Sequence, residues 1–257
     1  MSGSSGPRPG ARGEGVQAVI LAAGLGTRLG RPLPKSQTVL RDGRTIMRQQ
    51  LDNLRSALGE QVRVAVVVGF KANLLMEAHP DLRFVYNELF DSTNTSKSLL
   101  RALETSHPGG VLWMNGDVVF DPRVLQQVQP WLERDESFVC VNTAAVGEEE
   151  VKYTVDAGGF IDELSKTVSG GLGEAVGINY VSAADKAVLI EELRACADGD
   201  YFERGLETAI ARCGLRVAPV DVSTFDVVEV DFEDDLQRAD RIDVGNLWLR
   251  PAAADLN

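Results

Sequence analysis

Two cations and two acids, set on glycine-bearing segments, carry the chemistry this chain of 257 residues can do. Arg28 lies within LAAGLGTRL at 21–29, and Lys35 follows it, directly after Pro34. Asp117 closes the NGD triplet at 115–117, and Asp231 closes VEVD at 228–231. Glycines let backbone N–H groups approach a phosphate closely, and the small Ala22 and Ala23 leave room for a ribose or a base. A guanidinium adds a planar fork of donors and an ammonium a point charge. The loop therefore fits the phosphates of a nucleoside triphosphate, with Leu21, Ala22, Ala23, Gly24 and Gly26 around the nucleotide. It is not the GxxxxGK[ST] loop, which is absent. Nor is it the dinucleotide fingerprint, because Gly24, Gly26 and Gly30 sit among Arg28, Pro32 and Pro34.

The acids suit a divalent cation. Asp117 follows an apolar run (Val111, Leu112, Trp113, Met114) and a glycine, so it stands at the carboxyl end of a strand, with Asn115 beside it for the nucleotide. Alternation along an extended segment places Glu229 and Asp231 on one side, with Val228 and Val230 on the other. Two carboxylates with open positions match Mg²⁺, which keeps waters and accepts substrate phosphates. Simple capping competes with this reading at both positions: a loop cap at Asp117, a helix cap at Asp231.

These residues need a scaffold that brings 21–35, 117 and 231 together. Apolar runs at 17–22, 62–69, 82–86, 110–115 and 137–144 predict strands. Amphipathic segments near 45–57, 71–78, 96–105 and 122–132 predict the helices between them. That alternation implies an α/β fold with a parallel sheet covered on both faces, which binds ligands outside the carboxyl ends of its strands. From 151 the pattern changes to a β-hairpin with Gly158-Gly159 at its turn, then a strand at 173–181. Ser182 then caps a helix running to about 196. A helix at 202–213, strands near 216–220 and 226–230 returning to the sheet, and a helix at 232–242 complete the pattern.

The LAAGLGTRL…PK stretch resembles the signature of the nucleotidyltransferases that activate small phosphorylated compounds with CTP, UTP or GTP. The resemblance runs from 16 to about 242, and it is nearest to the phosphocholine and phosphonate cytidylyltransferases. It implies a Rossmann-like, GT-A-like fold: a mixed, mainly parallel sheet with helices on both faces and a small hairpin insert at 151–181. It implies Arg28 and Lys35 as catalytic cations and Mg²⁺ on Asp117 and Asp231. The N-x-x-x-S-L pattern places Asn94 and Ser98 by the base, although this chain has Asn94-Thr95 where such enzymes usually carry two adjacent polar residues such as Asn-Asn. By the same resemblance Lys152 and Lys166 on the hairpin arms hold the acceptor's phosphate or phosphonate, and Glu174 and Glu229 hold a cationic amine. Tyr153, Phe160, Tyr180, Tyr201 and Phe202 are read as core before they are read as a box for a quaternary ammonium. The implied reaction is transfer of CMP from CTP to a small phospho or phosphono acceptor, with release of pyrophosphate. Two alternatives stay open: a sugar-1-phosphate nucleotidyltransferase using UTP, GTP or dTTP, and a non-catalytic nucleotide-sensing module.

Composition sets the outer bounds. At 44% hydrophobic content the chain can fill one large core. Its formal charge of −12 disfavours nucleic acid as a partner. The charge is uneven, +6 over residues 1–55 and −18 over the remainder, so cations gather around the glycine loop and acids toward the end. No apolar run is long enough to span a bilayer. Cys140, Cys196 and Cys213 have no metal-ligand spacing and read as buried thiols of a reducing cytoplasm. Residues 1–15 read as a disordered lead without a signal peptide, 16–242 as one domain, and 243–257 as a loose tail. The protein is expected to act as a monomer or homodimer.

Overall fold

The computed structural model describes residues 16–26, 29–30, 32–144, 146–147 and 150–242. The lead at 1–15, the tail at 243–257 and Arg28 lie outside the described residues.

Seven strands form the main path of a mixed sheet. In chain order its first half comprises β1 (Gln17–Ala22), β2 (Arg63–Val68), β3 (Arg83–Tyr86) and β4 (Val111–Asn115). A short β5 (Val118–Phe120) comes next, then β6 (Phe138–Asn142), the hairpin β7 (Lys152–Val155) and β8 (Ile161–Ser165), and β9 (Glu174–Val181). β10 (Ala218–Asp221) and β11 (Val227–Glu229) come last. The spatial order is β10-β6-β9-β4-β1-β2-β3, with β7 joined to the end of β9. β1 pairs parallel with both β2 and β4, β2 with β3, and β6 with β10. β9 alone on this path runs antiparallel, between β4 and β6. The chain reaches it from a hairpin and not through a helical crossover, and parallel neighbours need a crossover.

Alternation along β1 divides the core in two. Ala18, Ile20 and Ala22 pack on one face with α1 (Ile46–Leu58), α2 (Ala72–Ala78) and α4 (Arg123–Arg134). Val19, Leu21 and Ala23 pack on the other with α3 (Thr95–Glu104), α5 (Lys186–Ala195) and α6 (Phe202–Cys213). Val19, Ile20 and Ala18 are essentially without solvent contact, so both faces are covered, as the continuous apolar runs require. A third, smaller cluster joins α7 (Glu233–Ala239) and Val228 and Val230 to Leu40 and Ile46.

Three expectations change. The segment near 226–230 does not return to the main sheet: β11 pairs antiparallel with β5 in a separate two-stranded sheet. β5 is only three residues long and comes directly after the turn at Asp117, too short for periodicity to reveal. The helix after Ser182 begins at Lys186, because Ser182 and Asp185 exchange hydrogen bonds in a turn that precedes it. Of the cysteines only Cys140 is buried; Cys196 is half-buried and Cys213, the last residue of α6, is exposed.

Candidate active site

A cavity of about 700 Å³ opens at the carboxyl ends of β1 and β4. Leu21, Ala22, Gly24 and Gly26 line it from the first loop, and Asn115, Gly116 and Asp117 from the second. Close packing at the base of these loops requires small residues. Gly116 donates its N–H to the Leu21 carbonyl at 2.9 Å, and a Cβ at Gly116 would stand 2.7 Å from that same oxygen. Gly26 holds φ at +62°, and a Cβ there would lie 2.9 Å from Lys35 Cγ. The glycine thus lets the loop turn and lets the lysine stem pass.

Lys35 opens a short 3₁₀ turn, Lys35–Gln37, after Pro34. Two backbone bonds anchor this turn to α1: Thr38 N–H donates to the Lys35 carbonyl, and Ile46 N–H, at the start of the helix, donates to the Thr38 carbonyl. From this fixed base the Lys35 ammonium contacts Asp117 Oδ2 at 3.0 Å and also pairs with Asp231 Oδ1. Burial works against the charged ammonium, but Asp117 and Asp231 outweigh it and raise the Lys35 pKa. Asp117 shifts upward because burial penalises its charge more than Lys35 relieves it.

The two acids are fixed to each other by backbone. Val230 N–H donates to the Asp117 carbonyl at 2.9 Å, next to the β5–β11 ladder. Capping does not explain Asp231. Asp235 accepts the N–H groups of Asp231 and Phe232 at the start of α7, which leaves the Asp231 carboxylate turned to Lys35. Glu229 joins them: one carboxylate oxygen from each of Asp117, Glu229 and Asp231 lies within 4.8 Å of the others. Glu229 keeps contact with solvent, yet protein crowds its carboxyl. The lost hydration, and then the charges of Asp117, Asp231 and Glu150, push its pKa well up. Three hard oxygen donors around an ammonium fit a divalent cation in chemistry and in spacing.

A set of amides on α1 holds this turn from beneath. Gln50 Nε2 donates to the carbonyls of Asn115 and Val118, both at 2.8 Å. Gln49 Nε2 and Asn53 Nδ2 both donate to the Phe120 carbonyl. All three side chains are fully buried. They brace the 115–120 segment that presents Asp117.

The other wall comes from the hairpin and α6. Lys166 lines the cavity with Glu150, Val151, Ala175, Tyr201, Phe202 and Glu203. The start of α6 is stitched to α3: Phe202 N–H donates to Thr95 Oγ1 at 3.0 Å, and Asn94 N–H to the Asp198 carbonyl at 2.7 Å. Asn94 lines the cavity at the head of α3, where its side chain also accepts the Thr95 N–H.

Four expected residues stand apart from the cavity. Ser98, on α3, is buried, accepts a hydrogen bond from Asn87 Nδ2 and is not in the lining, so it braces the 87–98 segment. Ala23 turns into the core, and its carbonyl accepts the Phe70 N–H. Glu174 accepts the Gly147 N–H at 2.9 Å and is not in the lining. Lys152 sits at the start of β7, in register with Ser165 and Glu174, and is likewise outside the lining. Of the aromatics in this half of the chain, Tyr153 and Tyr180 are core, Phe160 packs under Arg216, and Phe202 sits edge-on to Trp113 at 5.6 Å. Tyr201 is exposed and reaches the cavity.

A glycine loop at the end of β1 and Asp117 just beyond β4, with Lys35 and Asp231 brought beside them, make a site suited to the phosphates of a nucleotide. The chain belongs to the MobA-like NTP transferase domain family, whose pattern it matches over residues 18–216. It is 37% identical over 122 residues to CMP-5'-(3-aminopropyl)phosphonate synthase of Streptomyces rubellomurinus, a match that covers 44% of this chain and 19% of that protein. It is 39% identical over 108 residues to the bifunctional protein GlmU of Aquifex aeolicus, covering 40% and 22%. The matches thus span about a fifth of the length of these curated relatives. Among solved structures, the inositol-1-phosphate CTP transferase from T. maritima superposes with a TM-score of 0.73 at 18% identity, over 91% of this chain and 98% of that one. The CTP:phosphocholine cytidylyltransferase LicC from Streptococcus pneumoniae gives 0.68 at 18% identity, over 89% and 99%. These two establish the fold. No helix among the described residues is long and apolar enough to cross a membrane.

Proposed function

We propose that this protein is a cytidylyltransferase that moves CMP from CTP to a small phosphorylated or phosphonate acceptor and releases pyrophosphate. The observation that carries the reading is the Lys35 ammonium held between Asp117 and Asp231 at the mouth of the glycine loop. The phosphonate relative, with CMP in its product's name, supports the choice of nucleotide and acceptor class.

An acceptor oxygen attacks the α-phosphorus of CTP, a new P–O bond forms, and the bond to the departing pyrophosphate breaks in line. The acceptor dianion is already a nucleophile, so no general base is needed. The protein's contribution is orientation and neutralisation of charge. The backbone of 23–26 and Arg28 cradle the β- and γ-phosphates. Lys35 leaves its carboxylates to bridge α-phosphate and acceptor oxygens. Asn115 and Asn94 lie along the nucleoside, and Lys166 meets the acceptor's anionic head. Asp117 and Asp231, with Glu229 beside them, would hold Mg²⁺, which would offset charge on the triphosphate.

The test is pyrophosphate release in the presence of Mg²⁺. It crosses CTP, UTP, GTP and ATP with phosphocholine, 2-aminoethylphosphonate, glycerol phosphate, inositol phosphate and glucose-1-phosphate. Release with CTP and an amino- or choline-type acceptor is the expected result. Release confined to UTP or GTP with a sugar phosphate contradicts it and makes the protein a sugar-1-phosphate nucleotidyltransferase.

A further inference from the structure

Three of the six acids that line the cavity have work already. Asp117, Asp231 and Glu229 form the cluster at Lys35, and Glu174 is spent on the Gly147 N–H outside the lining. Glu203 differs. It is the second residue of α6, it lines the cavity with part of its side chain in contact with solvent, and its Oε2, turned inward, has no hydrogen-bond partner among the described residues, so a ligand donor meets it once the carboxyl rotates toward the cavity. A carboxylate oxygen desolvated and left unmatched is costly and is ordinarily avoided. Helix capping does not account for it. The first turn of α6 already has its Phe202 N–H on Thr95 Oγ1, and Glu203's own backbone N–H serves its carboxylate without satisfying Oε2. The charges nearby fit a missing cation. Lys166 is the cationic neighbour that favours the ionised form, but its ammonium rests over the Tyr201 ring, 5.1 Å from the centroid. An anionic acceptor head that drew Lys166 to itself would leave Glu203 for the far end of the same ligand.

We infer that Glu203 is the specificity-determining residue for the acceptor's organic end and that it takes a primary ammonium. This rests on the nucleotidyl-transfer reading above and narrows it. An unmatched acceptor oxygen is satisfied by an N–H donor, and best by a charged one. A trimethylammonium group brings charge but no N–H, so it leaves Oε2 unmatched. A hydroxyl donates without charge, and an alkyl group offers neither. The acceptor class is therefore an aminoalkyl phosphonate or phosphate, in preference to a choline-type one. Burial holds the Glu203 pKa up to about 7, consistent with a site whose charge is completed by its ligand.

The experiment measures kcat and KM with Mg·CTP for three acceptors of equal chain length: 2-aminoethylphosphonate, its N,N,N-trimethyl analogue, and ethylphosphonate. The wild-type protein is expected to prefer the primary amine over both others by at least about tenfold in kcat/KM. Glu203→Gln, which keeps size and removes charge, is expected to collapse that preference by at least about tenfold, through the acceptor KM and not kcat. Turnover of the trimethyl analogue on a par with the primary amine overturns the inference, and this comparison needs no variant. So does a preference that survives in Glu203→Gln. Either result leaves nucleotidyl transfer standing, whereas absence of pyrophosphate with every acceptor removes both readings.

Discussion

On the wall built from Lys35 and the ends of β4 and β11, the ammonium meets two carboxylates and the backbone beneath is braced by three buried amides. On the wall built from the hairpin and α6, Lys166 leans on an aromatic ring and Glu203 keeps a buried oxygen without a partner among the described residues. The charges of the first wall are paired within the chain, although Ser36 Oγ and Asn115 Oδ1 on it have no hydrogen-bond partner among the described residues, and in the proposed reaction Lys35 exchanges its carboxylates for phosphate oxygens. On the second, Glu203 carries a carboxylate oxygen without a partner among the described residues, which the inferred ammonium would match. In the proposed reaction, catalytic chemistry and acceptor choice fall on separate segments, residues 21–35, 117 and 231 against 150–203.

The largest effect expected from breaking this division falls on the first wall. Lys35→Ala should lower kcat by roughly a hundred- to a thousandfold for every acceptor while the circular dichroism spectrum stays native. A loss confined to one acceptor would place Lys35 on the wrong wall.

Glu203 should also act on stability. Burial raises its pKa to about 7, above the ordinary glutamate range. Between the two values the folded protein retains a proton that the unfolded chain has released, so stability falls as pH rises through that window and stays lower above it. Glu203→Gln removes this slope. Urea unfolding should show the variant matching wild type near pH 4 and exceeding it above pH 7, by up to roughly 3 kcal/mol.

Gln50→Ala leaves the Asn115 and Val118 carbonyls without their donor in a buried site, at a cost of about 2 kcal/mol. Turnover should fall with it, because the turn that carries Asp117 loosens. An equal stability with equal turnover would show that the amides are passengers.

Glu229→Gln should weaken Mg²⁺ binding about tenfold, read by calorimetry on the protein alone, and leave acceptor preference where it was. A shift in amine preference would return Glu229 to the acceptor's amine, the role the resemblance implies. The smallest effect is that of Ser98→Ala: about 1 kcal/mol of stability, with the CTP KM unmoved, since Ser98 serves Asn87 and not the cavity.

The sequence singles out Gly24, Gly26, Lys35, Asp117 and Asp231, and the structure brings them to one cavity. Phosphate and metal chemistry, as proposed for the first wall, calls for glycine, lysine and acid types, and strict alternation in VEVD predicts the burial of Val228 and Val230 with the acids on the more open side. The scaffold was legible for the same reason: long apolar runs such as Gln17–Ala22 are buried on both faces, and hydrophobic period reports that directly. What escaped depends on contacts between distant segments. Gln49, Gln50 and Asn53 read as polar residues of an amphipathic helix, and only the β4–β5 turn above them makes them a brace. The sequence signal was present as amides on the face that also carries Met47, Leu51 and Leu54. Glu203 comes after two aromatics at a helix start, where an acid is ordinary, and its missing partner is visible only in three dimensions. Ser98 misled because the pattern that names it does not fix which side of α3 it faces.

The most direct test of the account is a single-turnover measurement of pyrophosphate release from Mg·CTP and an aminoalkyl phosphonate by wild type and Asp117→Asn. Loss of roughly a thousandfold in the chemical step, in a variant that still unfolds cooperatively, is the predicted result. A rate within a few-fold of wild type would show that the site built around Lys35, Asp117 and Asp231 is not where the transfer occurs.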